Sequence, residues 1–169
     1  MNLISVIFVL LSYKNEILNQ SIVDSVQKVY KFKIDVVNDV LPTSCYNVTF
    51  KRYDGNKILD YLHNKYPNKK VIAITSYDIY TVAHGSDHWG IFGLGSLTDN
   101  VCVTSVYRLK SRNLNYRTLN VVIHEVGHTY GLNHCITDQP CVMKAGDHTA
   151  KDLDEKPMQL CKYCKKLIK

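Results

Sequence analysis

Apolar residues crowd the first positions of the chain. Leu3 to Leu11 reads LISVIFVLL, with β-branched Ile4, Val6, Ile7 and Val9, and its short bounded length predicts a strand covered on both faces. From Asn15 to Tyr30 the pattern changes period. Ile17, Leu18, Ile22, Val26 and Val29 fall at helical spacing with polar residues opposite, which predicts an amphipathic helix. Phe32, Ile34, Val36 and Val37 return to a strand pattern, so the order strand, helix, strand predicts a parallel pair with a right-handed crossover. Pro42 interrupts the pattern, and 46–54 reads as an irregular link. Ile58, Leu59 and Leu62 mark a helix ending before Pro67, and Val71 to Ile74 a short buried strand. The first 75 residues thus alternate in the manner of an α/β half-domain.

Beyond them the character shifts. Ser76 to Asp87 carries little periodicity and reads as loop. Gly90, Gly93 and Gly95 punctuate GIFGLGSL, a strand whose glycines imply bending or close backbone approach. With Thr98-Asp99-Asn100 as a three-residue turn, this run and Val101 to Tyr107 predict a hairpin, one strand of which is an exposed edge able to accept an extended peptide. From Asn113 a second strong helix follows. Leu119, Val122, Ile123, Val126 and Tyr130 occupy roughly 100° of arc, while His124 and His128 project about 150° to 170° from its centre. The fold class expected is α+β with an α/β-like N-terminal half: one domain over 1–169, with 1–112 as sheet scaffold and 113–169 carrying the chemistry.

Composition narrows the setting. A chain of 169 residues is long enough to bury about 70% of its unfolded surface without disulfides. The net charge of +6 gathers partly at Lys162, Lys165, Lys166 and Lys169, where Tyr163 is the sole interleaved aromatic. That reads as a solvated basic segment rather than a nucleic-acid surface, so no nucleic-acid partner is expected. The apolar run at 3–11 has no preceding Lys or Arg and no small-x-small site after it, and spans about half a bilayer, so neither export nor membrane insertion is expected. A cytoplasmic monomer is the expectation. Four of the six cysteines (Cys135, Cys141, Cys161, Cys164) cluster late in the chain, which in a reducing compartment indicates metal more than disulfide. Cys45 and Cys102 stand apart as small buried side chains.

The chemistry concentrates in HEVGHTYGLNHC, residues 124–135. His124 and His128, four apart on a helix, reach a single ion, and a turn at Gly131 would return the chain to deliver His134. Three imidazoles leave an open coordination position on zinc, where a water's pKa falls to about 7 and a neighbouring Glu125 can take its proton. Such an array arises by chance on the order of once in a hundred thousand such chains. A metal held for stability alone is the alternative. His63, His84, His88 and His148 lack helical context and read as exposed or locally bonded, and Met143 taken alone reads as core filler.

HExxHxxGxxH followed by a Met resembles the metzincin signature of zinc peptidases. The immediate Cys135, Cys141-x-Met143, and then Cys161-x-x-Cys164 after seventeen residues resemble the archaemetzincins, and the resemblance runs through the whole chain. One departure is the five residues, Ile136 to Pro140, between the first two cysteines, where the family has four. The resemblance implies a compact metzincin-like domain with a twisted mixed sheet, an active-site helix and a small C-terminal zinc-bound subdomain. It also implies two zinc ions: a catalytic one on His124, His128 and His134 with Glu125 as general base and acid, and a structural one on Cys135, Cys141, Cys161 and Cys164. Met143 would form the Met-turn beneath the first. The expected function is zinc-dependent hydrolysis of peptide or protein substrates; a non-catalytic peptide-binding protein on the same fold is the alternative.

Overall fold

The structure, a computed structural model, describes residues 5–109, 113–147 and 149–168. Expectations for Leu3, Ile4, His148 and Lys169 lie outside these. In chain order the elements are β1 (Ser5–Leu11), α1 (Glu16–Tyr30), β2 (Ile34–Asp39), β3 (Tyr46–Asn47), β4 (Arg52–Asp54), α2 (Gly55–Lys65), β5 (Lys69–Thr75), β6 (Ile79–Ala83), β7 (Ser86–Ile91), β8 (Gly93–Gly95), β9 (Val101–Ser105), α3 (Leu114–His128) and α4 (Lys162–Leu167).

Five strands form the main sheet in the order β2-β1-β5-β9-β8. The first four are parallel and β8 runs antiparallel at the edge. The alternation in β1 explains the layers. Val6, Phe8 and Leu10 point to one face, where they meet Leu18, Ile22 and Val26 of α1 and Val122, Ile123 and Val126 of α3. Ile7, Val9 and Leu11 point to the other, against Ile58 and Leu62 of α2. A strand buried on both faces is what the unbroken apolar run required. Asn15 starts α1 by accepting from Leu18 N–H at 3.1 Å, and Asp54 starts α2 by accepting from Asn56 N–H at 2.9 Å.

Several expectations shift. Ile17, expected on the buried stripe of α1, is 79% exposed, and Val23 is buried instead. The second strand begins at Ile34 rather than Phe32. The loop expected at 76–87 and the link at 46–54 are instead parts of a second sheet, ordered β3-β4-β6-β7. β6 and β7 are joined by His84 and Gly85, both at positive φ (52° and 74°), with Ala83 opposite Ser86. This two-residue hairpin lacks the common Asn-Gly signal. Its second strand, SDHWGI, is polar enough to hide its period. GIFGLGSL is likewise not one strand: it passes from β7 in the second sheet to β8 in the first, and the connection to β9 spans 96–100 rather than three residues. β8 is nonetheless an edge, as expected.

The segment after α3 does not stand off from the body. Cys141, Val142, Met143, Leu160, Cys161 and Cys164 join the same buried cluster as α1 and α3. Among the described residues, no helix is long and apolar enough to cross a membrane.

Candidate metal centre and cleft

The helix α3 runs beneath a cleft of about 330 Å³ bounded by β7, β8, Gly146 and the segment 149–156. Its core stripe holds it to the sheet, and a buried hydrogen bond from the Tyr30 hydroxyl to Ile123 O (2.7 Å) ties it to α1. On the cleft side the sequence-predicted ligands come together. One nitrogen from each of His124, His128 and His134 lies within 4.8 Å of the other two.

Their orientation follows from the backbone. His124 Nδ1 meets Val142 O at 2.8 Å and His128 Nδ1 meets Leu132 O at 2.7 Å. A carbonyl only accepts, so each Nδ1 carries the proton and each Nε2 keeps a lone pair. Those two Nε2 atoms then face one another at 3.1 Å, an arrangement that is repulsive unless a cation lies between them. Burial lowers the pKa of His124 to about 3 and lowers that of His128, so both are neutral at physiological pH.

Gly131 accomplishes the return to His134. Its φ is 74°, its N–H donates to His128 O at 2.8 Å, and Leu132 N–H donates to Gly127 O at 3.2 Å. This is the paired bonding of a glycine-terminated helix end. The same turn places the Leu132 carbonyl against His128.

Glu125, 8% exposed, lies against β8. Burial lifts its pKa to about 8, opposed by the Gly95 N–H and the Lys156 charge. The glycines in β8 explain the closeness. A methyl at Gly93 would come within 2.6 Å of Glu125 Cγ, and one at Gly95 within 2.5 Å of Glu125 O. Both glycines share the strand face turned toward α3.

A pH prediction follows for the metal-free protein. The folded pKa of Glu125 is raised, so stability is greatest while it is protonated and falls as pH rises toward 8. The histidines act oppositely below their ordinary 6.5, and Cys161, held near 6, acts oppositely above it; Glu125→Gln shares both contributions, so the comparison from 6.5 to 8 reads Glu125. Across that window, denaturant titration should show the wild type losing up to about 2 kcal/mol relative to Glu125→Gln.

Four cysteines form the second cluster, with one sulfur from each within 4.8 Å of the rest. Cys135 Sγ lies 3.7 Å from Cys161 Sγ and Cys141 Sγ 3.7 Å from Cys164 Sγ. All are free thiols. A tetrahedral zinc with bonds of 2.3 Å requires sulfurs about 3.8 Å apart, so the set fits that ion. Burial opposes ionisation of Cys161, but the Cys164 N–H, the Thr137 hydroxyl and neighbouring thiols bring its pKa down to about 6.

The clusters are joined through two peptide links. Cys135 follows His134 directly, and Cys141 precedes Val142, whose carbonyl orients His124. Cys135 N–H also donates to Met143 O at 2.8 Å. Met143 is fully buried beneath α3 at Gly127. A methyl at Gly127 would overlap Met143 Sδ and approach its Cε to 2.9 Å. Gly127→Ala is therefore expected to cost about 1 to 3 kcal/mol in thermal or denaturant unfolding.

On the far flank, Arg117 grips Asp154 with two hydrogen bonds (2.7 and 2.6 Å), and Tyr116 donates to Lys156 O at 2.6 Å. These fix the opposite wall of the cleft. Lys156 there reaches Lys144 O at 2.9 Å and Asp152 at 3.2 Å. The orienting carbonyls of Leu132 and Val142, Gly127 and Lys156 carried no expectation from the sequence. Only Gly127 carried a signal, as a glycine inside a helix. Cys45 and Cys102 are buried (2% and 1% exposed), as expected. His63 is exposed, 3.8 Å from Asp99, and His88 is bonded locally to Asp87 at 2.6 Å.

These features, a helix on the main sheet that presents three imidazoles beside a four-thiol cluster, are shared with a class of metallopeptidase. The chain belongs to Peptidase family M54, whose pattern matches residues 1–169; it is a zinc-dependent metallopeptidase, a hydrolase. It is 32% identical to the archaemetzincin of Nanoarchaeum equitans (strain Kin4-M) over 143 residues, covering 85% of this chain and 78% of that one. It is 33% identical to an archaemetzincin of Archaeoglobus fulgidus over 138 residues, 77% of this chain and 80% of the relative. Among solved structures, Archaeoglobus fulgidus archaemetzincin, complexed with malonate, superposes with a TM-score of 0.81 at 27% identity, covering 97% of this chain and 99% of that one. The Methanopyrus kandleri archaemetzincin gives a TM-score of 0.81 at 25% identity, covering 98% and 93%.

Proposed function

We propose that the chain hydrolyses peptide bonds with His124, His128 and His134 as ligands of a catalytic zinc, Glu125 as general base and acid, and Cys135, Cys141, Cys161 and Cys164 around a structural zinc. The observation that carries this reading is the pair of unprotonated Nε2 atoms at 3.1 Å, aligned by backbone carbonyls beside a buried carboxylate. Bound zinc supplies Lewis-acid polarisation of the scissile carbonyl and a more acidic water. Glu125 would take a proton from the attacking water on a carboxylate oxygen and pass it to the leaving amine. Gly95 N–H holds the carboxylate in place through the cycle. Met143 supports the floor of the site as its Met-turn.

Among the described residues the outer edge of β8 has no strand partner in the sheet, and an extended substrate can pair with it across the cleft from α3. Residues 1–112 then act as scaffold and 113–169 as the metal-bearing part of one domain. The four free thiols suit a reducing, cytoplasmic compartment. No nucleic-acid role is needed for the cysteines, which a structural ion accounts for.

The test is digestion of a broad peptide library by protein whose metal content has been counted. Two zinc ions per chain and cleavage abolished by chelator are expected. A single ion would overturn the two-site reading, and intact peptides after incubation with the two-ion protein would overturn turnover.

A further inference from the structure

Lys70 begins the buried part of β5 and is 3% exposed. Burying an ammonium is costly, and among the described residues it has no carboxylate partner. Its Nζ instead donates to Thr129 O and Thr129 Oγ1, each at 2.8 Å, and to Asn100 Oδ1 at 3.2 Å. It also sits 4.1 Å from the centre of the Tyr130 ring. Burial lowers its pKa to about 8, which leaves it charged at neutral pH. Among the described residues no ion pair accounts for such a residue, and its two shortest hydrogen bonds and its ring contact gather at one end of α3.

That end is where the site is completed. The carbonyls of Gly127 and His128 are taken by the N–H groups of Leu132 and Gly131. Thr129 O is the next carbonyl at the negative end of the helix dipole, and the Lys70 ammonium takes it. Within the following five residues come Gly131, the Leu132 carbonyl that orients His128, and His134. Tyr130, under the ammonium, is stacked on Tyr30 at 5.3 Å, so the helix end is held from two sides.

We infer that Lys70 is a positioning residue for the three-histidine site, its ammonium binding the last turn of α3 at Thr129 and so fixing the reversal that aims His128 and delivers His134. This rests on the assignment of His124, His128 and His134 as metal ligands. Lys70 touches neither substrate nor metal; it acts through the turn.

The decisive variant is Lys70→Met, which keeps the stem and removes the charge. The protein is loaded with zinc, or with cobalt to separate the sites by colour: thiolate charge-transfer bands report the cysteine cluster and weak d–d bands the histidines. Under a chelator, release from the histidines should quicken by about tenfold or more, with release from the cysteines unchanged. A purely structural role would lower the unfolding temperature and leave both release rates at wild-type values, which would overturn the inference. Should Lys70→Met fail to fold, Thr129→Val removes one of the two Thr129 acceptors and keeps the other. Faster release from the histidines alone is again expected, and wild-type release overturns the inference. A wild type that fills its cysteines but binds no ion at the histidines would instead refute the site assignment itself, and the inference with it.

Discussion

Glu125→Gln is expected to leave zinc content unchanged and to lower peptide hydrolysis by a factor of about 10² to 10⁴. Glutamine has nearly the same shape, and its side-chain oxygen can still accept from the Gly95 N–H that faces the carboxylate. The cleft should therefore keep its form while losing the carboxylate proposed to carry a proton. Burial keeps the carboxyl pKa near 8 in the absence of metal, close to the range where a group both takes and returns a proton. The measurement is turnover of a cleavable peptide against metal counted in the same sample. Wild-type turnover in the two-ion variant would remove Glu125 from the mechanism; loss of zinc along with activity would show that the carboxylate supports binding instead.

Cys141→Ser is expected to act on both clusters. The direct effect is loss of a thiolate from a set whose sulfurs stand 3.7 Å apart across two pairs. A structural zinc of this kind is worth on the order of 10 kcal/mol, so a large fall in unfolding temperature is expected. The second effect travels through Val142, whose carbonyl receives His124 Nδ1 at 2.8 Å. Affinity for the ion at the histidines should drop about 10- to 100-fold, as is usual when the group orienting a ligand is displaced. Competition with a chromogenic chelator would read it. An unaltered affinity at the histidines in a variant that has lost its other ion would show the clusters to be independent.

The helix, its stripe and the three imidazoles were legible because a period of 3.6 and a spacing of four constrain each other: once Val122, Ile123 and Val126 face the core, His124 and His128 cannot. The doubly buried β1 was legible for a similar reason. The second sheet was not. Its strands are short, β7 is largely polar, and its tight turn uses His84-Gly85, so pairing rather than pattern sets their conformation. The glycines of β8 announced a close approach, but only the fold shows Glu125 as what they approach. Groups acting through main-chain atoms were invisible. Nothing in the side chains of Leu132 or Val142 marks their carbonyls as the acceptors that align two histidines. Lys70 hid differently, as one of a Lys pair beside a strand, where a solvated charge is the ordinary reading.

The tie between His124 and the loop carrying Cys141 makes the thiol cluster part of the support of the histidines. Val142, whose carbonyl receives His124 Nδ1 at 2.8 Å, directly follows Cys141, so whatever displaces the thiols displaces the group that aims an imidazole.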